Sequence, residues 1–175
     1  MTLEQISLWL PIYAKDLKQN LMSVLNQADL SPAQTWGAAV ACALAARNST
    51  LYAALVMEAG KHISPDTIEA ARGAAAIMSM SNVFYRFQHL AENEKYKTIP
   101  TRLRMNVLRT HGADVKDFEL WCIAVSAVTG CSTCISHHEK ALLSAGVTEE
   151  TIAASIRIAS VIYATAAVLD AEVIG

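Results

Sequence analysis

Apolar residues recur at intervals of three and four along most of the chain, as at Val115, Phe118, Cys122 and Val125, and again at Ile152, Ile156, Ala159 and Tyr163. That spacing places them on one face of a helix, and no segment alternates with the period of two that a half-buried strand needs. Polar residues mark where the helices begin. Ser31-Pro32-Ala33-Gln34 supplies an N-cap, a proline at the first helical position and a capping-box glutamine, and Thr2-Leu3-Glu4-Gln5 repeats the box. Ser64-Pro65-Asp66 and Thr148-Glu149-Glu150 open two more helices with carboxylates near the positive helix end. The pattern predicts an all-α fold of roughly seven to nine helices with short connections.

The second half echoes the first at an offset of about 85 residues, the signature of an internal copy. Trp36-Gly37-Ala38-Ala39-Val40-Ala41 answers Trp121-Cys122-Ile123-Ala124-Val125-Ser126, and Thr67-Ile68-Glu69-Ala70 answers Thr151-Ile152-Ala153-Ala154. The predicted organisation is one domain over residues 1–175, with related halves at about 31–90 and 114–172. The linker between them, Ala91 to Arg109, carries Lys95, Lys97, Arg102, Arg104 and Arg109 and reads as a solvated connection or as a contact with another chain.

Composition narrows the function classes. Hydrophobic residues make up 53% and aromatics 6%, a profile of small-residue, closely packed helices with more apolar surface than one monomer hides, so self-association is expected. A net charge of -2, from 14 basic and 16 acidic residues, gives no global field to hold nucleic acid or an anionic membrane. The longest uncharged stretch, Leu120 to His138, is interrupted by Gly130, Ser132, Thr133 and two histidines, so no bilayer-spanning segment is expected. Met1-Thr2-Leu3-Glu4-Gln5 lacks the positive start of an export signal, which predicts a cytoplasmic protein. In that reducing compartment Cys42, Cys122, Cys131 and Cys134 read as thiols rather than as a disulfide framework.

Only Cys131-Ser132-Thr133-Cys134 has a chemically suggestive spacing. The stretch that answers it in the first half is Ala46-Arg47-Asn48-Ser49, so one copy alone carries chemistry. Gly130 ends the helix before it and the next helix starts beside Cys131, where unpaired amides and the helix dipole stabilise a thiolate. At 3.6 residues per turn Cys131, Cys134 and His138 fall within an arc of roughly 60° on one face. His138 can therefore take a thiol proton or orient a water that does, whereas His137 points away. Glu119, at the border of an apolar face on the preceding helix, is expected to be partly buried and to need a partner, the nearest being these histidines and cysteines. A zinc site built from Cys131, Cys134, His137 and His138 is the alternative, although a single helix face rarely surrounds a metal. Cys42 and Cys122, inside apolar runs, read as inert packing residues, and His62, His89 and His111 as surface or cap residues.

The arrangement Glu119-x11-Cys131-x2-Cys134-x3-His138 resembles the motif of the AhpD family of alkylhydroperoxidases. Asn82-Val83-Phe84-Tyr85-Arg86, Leu103-Arg104-Met105-Asn106 and Phe118-Glu119-Leu120-Trp121 extend the resemblance over nearly the whole chain. It implies an internally duplicated all-α fold shared with the carboxymuconolactone decarboxylases, usually trimeric. It implies further that Cys134 is the cysteine oxidised to sulfenic acid, that Cys131 resolves it as a disulfide and acts as proton donor, and that Glu119 and His138 form a proton relay. Helix position alone favours Cys131 as the more acidic thiol. Thr133, with His137 an accessory candidate, stands where some members have a histidine; threonine donates a hydrogen bond but carries no proton near neutral pH. The implied function is an antioxidant thiol peroxidase acting on alkyl hydroperoxides, with no bound cofactor or metal. Its implied partners are a lipoylated carrier, whose lipoyl dithiol reopens the disulfide, and the peroxiredoxin AhpC. A pure disulfide electron carrier and a decarboxylase-like enzyme on the same fold are the other classes.

Overall fold

The computed structural model describes residues 1–172, and every regular element among them is helical. In chain order these are α1 (Leu3–Trp9), α2 (Lys15–Val24), α3 (Pro32–Ala46), α4 (Ser49–Ala59), α5 (Pro65–Leu90), α6 (Lys95–Thr98), α7 (Val107–Thr110), α8 (Val115–Thr129), α9 (Ser132–Ser144) and α10 (Glu149–Ala171), with a 3-10 turn at Ile12–Ala14. Ten α-helices exceed the seven to nine expected, because the linker itself forms the four-residue helices α6 and α7. The caps act as their sequences dictate. Thr2 and Ser31 close full capping boxes with Gln5 and Gln34, while Ser64 and Thr148 accept from Thr67 N and Thr151 N. Each such cap contributes about 1 kcal/mol.

The core lies where α3 and α8 pack against each other and, on either side, against α5 and α10. Every residue from Thr35 to Ala43 on α3 and from Leu120 to Ser126 on α8 is buried, so these two helices are enclosed on all sides. Small side chains make that possible. Gly37 lies against the indole of Trp121, where a Cβ would overlap the ring, and Cys42 and Cys122 are buried packing residues. Trp36 instead stacks on His62, with ring centroids 4.4 Å apart, and His111 stacks on Phe118 at 3.9 Å. His62 is exposed and His111 accepts from the Ala113 N–H, as expected of surface or cap residues, and both also pack against an aromatic ring.

The helix caps recur at a near-constant offset along the chain. Ser31 and Asp114 cap α3 and α8, and Asn48 and Cys131 cap α4 and α9, each pair 83 residues apart; Ser64 and Thr148, capping α5 and α10, are 84 apart. Counted from the caps, Trp36 is the fifth residue of α3 but Trp121 the seventh of α8, so the two tryptophans face different neighbours. Cys131 consequently stands opposite Asn48, not Ala46. Where Asn48 Oδ1 caps α4 by accepting from Leu51 N at 2.8 Å, the Cys131 sulfur caps α9 by accepting from Cys134 N at 3.3 Å.

Helix α10 is long and apolar enough by length and composition to cross a membrane, although Glu149, Glu150, Arg157 and Asp170 keep it from forming the long uncharged stretch by which a span is expected. Half of its most apolar window is buried inside the fold, against α3, α8 and α2, and its Arg157 pairs with Asp29 at 2.8 Å.

Candidate functional site

The site grows from the end of α8. Gly130 adopts the left-handed conformation (φ 69°), and its N–H and that of Cys131 both return to the Ser126 carbonyl, a reversal that turns the chain and starts α9 against α8. Helix α5 clamps this turn from the other side. Asn82, fully buried, donates to Thr129 Oγ1 at 2.8 Å and to Ser126 Oγ at 3.2 Å, and Arg86 donates to the Thr129 carbonyl left open by the end of α8. Cys131 is thereby held at the N-cap of α9 with Cys134 in the first turn.

The two cysteines form a disulfide, their Cα atoms 5.3 Å apart. They differ in access. Cys131 has 0% of its surface exposed and Cys134 6%, and only Cys134 lines the adjoining cleft of about 290 Å³. The cleft is walled by Met78, Ser81 and Tyr85 of α5, by Thr133, His137 and His138 of α9, and by Met105 and Leu108. The linker, read as a solvated connection or a contact with another chain, therefore closes one side of the site.

His138, buried one turn beyond Cys134, is held at both ring nitrogens. Nδ1 lies 2.6 Å from Glu119 Oε2, and Nε2 lies 3.2 Å from Met78 Sδ. Glu119 is partly exposed, as its place at the edge of an apolar face predicts, and His138 is its partner. His137 and Thr133 are exposed at the cleft mouth, the His137 ring meeting that of His138 edge-on at 5.4 Å. Among the described residues no three histidine, cysteine, aspartate or glutamate side chains converge as ligands for a metal.

The remaining cysteines sit in a different environment. Burial pushes the Cys42 thiol up to about 12, and burial together with the nearby Glu119 charge raises that of Cys122 well above the ordinary thiol value. Neither forms a nucleophilic thiolate at neutral pH. The sequence pattern does not single out Met78, and it marks Asn82 and Arg86 only as part of Asn82-Val83-Phe84-Tyr85-Arg86. The signal for all three was weak: Asn82 and Arg86 are polar residues one turn apart on a long helix, and Met78 precedes Asn82 by one more turn.

Comparison with known proteins places this arrangement in context. Residues 94–172, the segment holding both cysteines, Glu119 and His138, match a family model described as the carboxymuconolactone decarboxylase family. The chain is 52% identical over 172 residues to alkyl hydroperoxide reductase AhpD of Solibacter usitatus, covering 98% of this chain and 97% of that protein. It is 53% identical over 173 residues to the protein of the same name in Acidobacterium capsulatum (98% and 94% covered) and 55% identical over 173 residues to that of Koribacter versatilis (98% and 89%).

Proposed function

Since this chain belongs to the alkyl hydroperoxide reductase AhpD family, we propose that it is an antioxidant thiol peroxidase that reduces alkyl hydroperoxides at Cys134. The observation that supports this reading most strongly is the asymmetry of the disulfide. Cys134 faces the cleft beside His138, whereas Cys131 is covered and bonded to it from behind. In the reduced protein the Cys134 thiolate, stabilised by the start of α9, attacks a peroxide oxygen; the O–O bond breaks and the alkoxide leaves as the alcohol once protonated. Cys131 then attacks the Cys134 sulfenic acid, water leaves, and the disulfide closes. Glu119 and His138 carry the protons through their 2.6 Å contact. Thr133 and His137, at the cleft mouth, meet the substrate's organic portion.

A dithiol must reopen the disulfide. A lipoyl group on a carrier domain suits the site, because its narrow, flexible arm reaches a recessed sulfur and its second thiol resolves the mixed disulfide intramolecularly. The same dithiol form can pass electrons to the peroxiredoxin AhpC. The reading includes a cytoplasmic homotrimer, and the exposed Val83, Phe87, Leu90 and Ile99 around the end of α5 and the linker favour burial between copies.

With dihydrolipoamide or a lipoylated domain as donor, cumene hydroperoxide should be consumed at a steady rate, and with glutathione at equal thiol concentration the rate should be at least about tenfold lower. Glutathione matching dihydrolipoamide removes the donor assignment. Disulfide exchange without peroxide consumption would instead identify a dedicated electron carrier. Glu119→Gln and His138→Asn should each lower turnover by about 10²-fold, the scale of general acid–base catalysis, with helical content unchanged. If they act as one unit, the double variant should be scarcely slower than either single one. Full activity in either single variant removes that residue from the relay.

A further inference from the structure

Three polar groups surround one thioether. His138 Nε2 lies 3.2 Å from Met78 Sδ, with Ser126 Oγ at 3.7 Å and Ser81 Oγ at 3.9 Å, all in a buried setting at the wall of the cleft that Cys134 lines. A thioether sulfur has lone pairs and no hydrogen to give, so the shortest of these contacts is favourable only when Nε2 bears a hydrogen. With Nε2 protonated, the 2.6 Å contact between Nδ1 and Glu119 Oε2 requires one further proton, on the nitrogen or on the carboxyl oxygen. With Nε2 protonated, the line of contacts from Glu119 through His138 to Met78 holds two protons.

The geometry points to Met78 as a positioning residue that keeps a proton on His138 Nε2 while the cysteines are oxidised, so that a donor is in place when the disulfide is reduced. This rests on the reading of Cys131–Cys134 as the redox pair and of His138 as the relay. In that half-reaction a dithiol thiolate attacks Cys134, the S–S bond breaks, and its electron pair leaves on Cys131. The second thiolate of the donor then attacks its own mixed-disulfide sulfur, closing the donor's cyclic disulfide and releasing Cys134. Two electrons pass from donor to protein, and of the two protons the donor thiols give up one goes to Cys131 while the other replaces the hydrogen that His138 Nε2 passes to Cys134. The released Cys134 sulfur is the cysteine nearest His138 along α9, and the Nε2 hydrogen is the proton that meets it. Met78 touches no reacting atom; it acts by deciding which ring nitrogen is protonated beforehand.

Met78→Leu tests this because it nearly preserves volume and removes the acceptor, and Met78→Gln because it restores an acceptor on a side chain of similar length. The first readout is nitrogen NMR of the oxidised protein labelled at histidine. His138 Nε2 should appear protonated in the wild type, lose that proton in Met78→Leu, and regain it in Met78→Gln. The second is the rate at which dithiothreitol reduces the disulfide, which should fall about tenfold in Met78→Leu, the loss of one hydrogen bond to a charged partner, and recover in Met78→Gln. A protonated Nε2 in Met78→Leu, an unchanged rate, or equal losses in both variants would overturn the assignment. Neither readout uses peroxide. A wild type that consumes no peroxide would defeat the peroxidase reading and leave these two measurements to decide the role of Met78.

Discussion

Cys134→Ser should abolish peroxide consumption, lowering it by roughly three orders of magnitude or more, the scale set by removing a catalytic nucleophile. Cys131→Ser should instead consume one equivalent of peroxide per chain and stop. The difference follows from access. Only the Cys134 sulfur opens on the cleft, and Cys131 lies behind it with no exposed surface. A peroxide therefore reaches Cys134 first, and without Cys131 the sulfenic acid has no thiol to condense with. Both variants keep the fold. Serine is a better N-cap than cysteine, so the Cys131→Ser hydroxyl accepts from the Cys134 amide at least as well as the sulfur does at 3.3 Å. A sulfenic-acid trap such as dimedone should label Cys131→Ser at Cys134 and leave Cys134→Ser unlabelled. The opposite labelling would reverse the two roles.

The largest stability effect is expected away from the chemistry, at Gly37. Its backbone lies against Trp121, and a methyl group added there would occupy the same space as the indole ring. Trp121 is completely buried within α8, between α3 and the aromatic ring of Phe118, and cannot swing out. Gly37→Ala should therefore destabilise the fold by about 3 kcal/mol, the upper range for overpacking a core. For a chain of this size that corresponds to a melting temperature lower by roughly 6–12 °C. Adding Trp121→Leu to Gly37→Ala makes room for the methyl group, and the double variant should be more stable than the sum of the two single effects. Thermal unfolding followed by circular dichroism measures all three. A Gly37→Ala protein that melts with the wild type would show that α3 and α8 separate at little cost.

Local chemistry made much of this molecule readable from its residues. Ser31-Pro32-Ala33-Gln34 and Thr2-Leu3-Glu4-Gln5 cap helices because their side chains reach amides three residues on, an interaction complete within one turn. Cys131, Cys134 and His138 share a face for the same reason. The contact of Glu119 with His138 was accessible because a carboxylate on the margin of an apolar face demands a partner and few candidates stood nearby. The pairing of Trp36 with Trp121 in the sequence does not extend to their surroundings, since Trp36 packs on His62 and Trp121 on Gly37. Met78 was invisible for a different reason. It meets His138 across 60 residues of sequence, and a methionine on an apolar helix face reads as core packing until its neighbours are known. Met105 and Leu108 were hidden likewise, since a charged linker gives no sign that its apolar residues wall a cleft.

On the proposed mechanism this chain turns a hydroperoxide into an alcohol while its own Cys131–Cys134 dithiol is oxidised. Single-turnover stoichiometry tests it most directly. Fully reduced protein, freed of reductant, is mixed with one equivalent of cumene hydroperoxide; the alcohol is quantified and the disulfide located by peptide mass mapping. One cumyl alcohol and one Cys131–Cys134 disulfide per chain are expected, with Cys42 and Cys122 still reduced because burial raises both thiols. Unconsumed peroxide, or alcohol formed with the disulfide elsewhere in the chain, would contradict it.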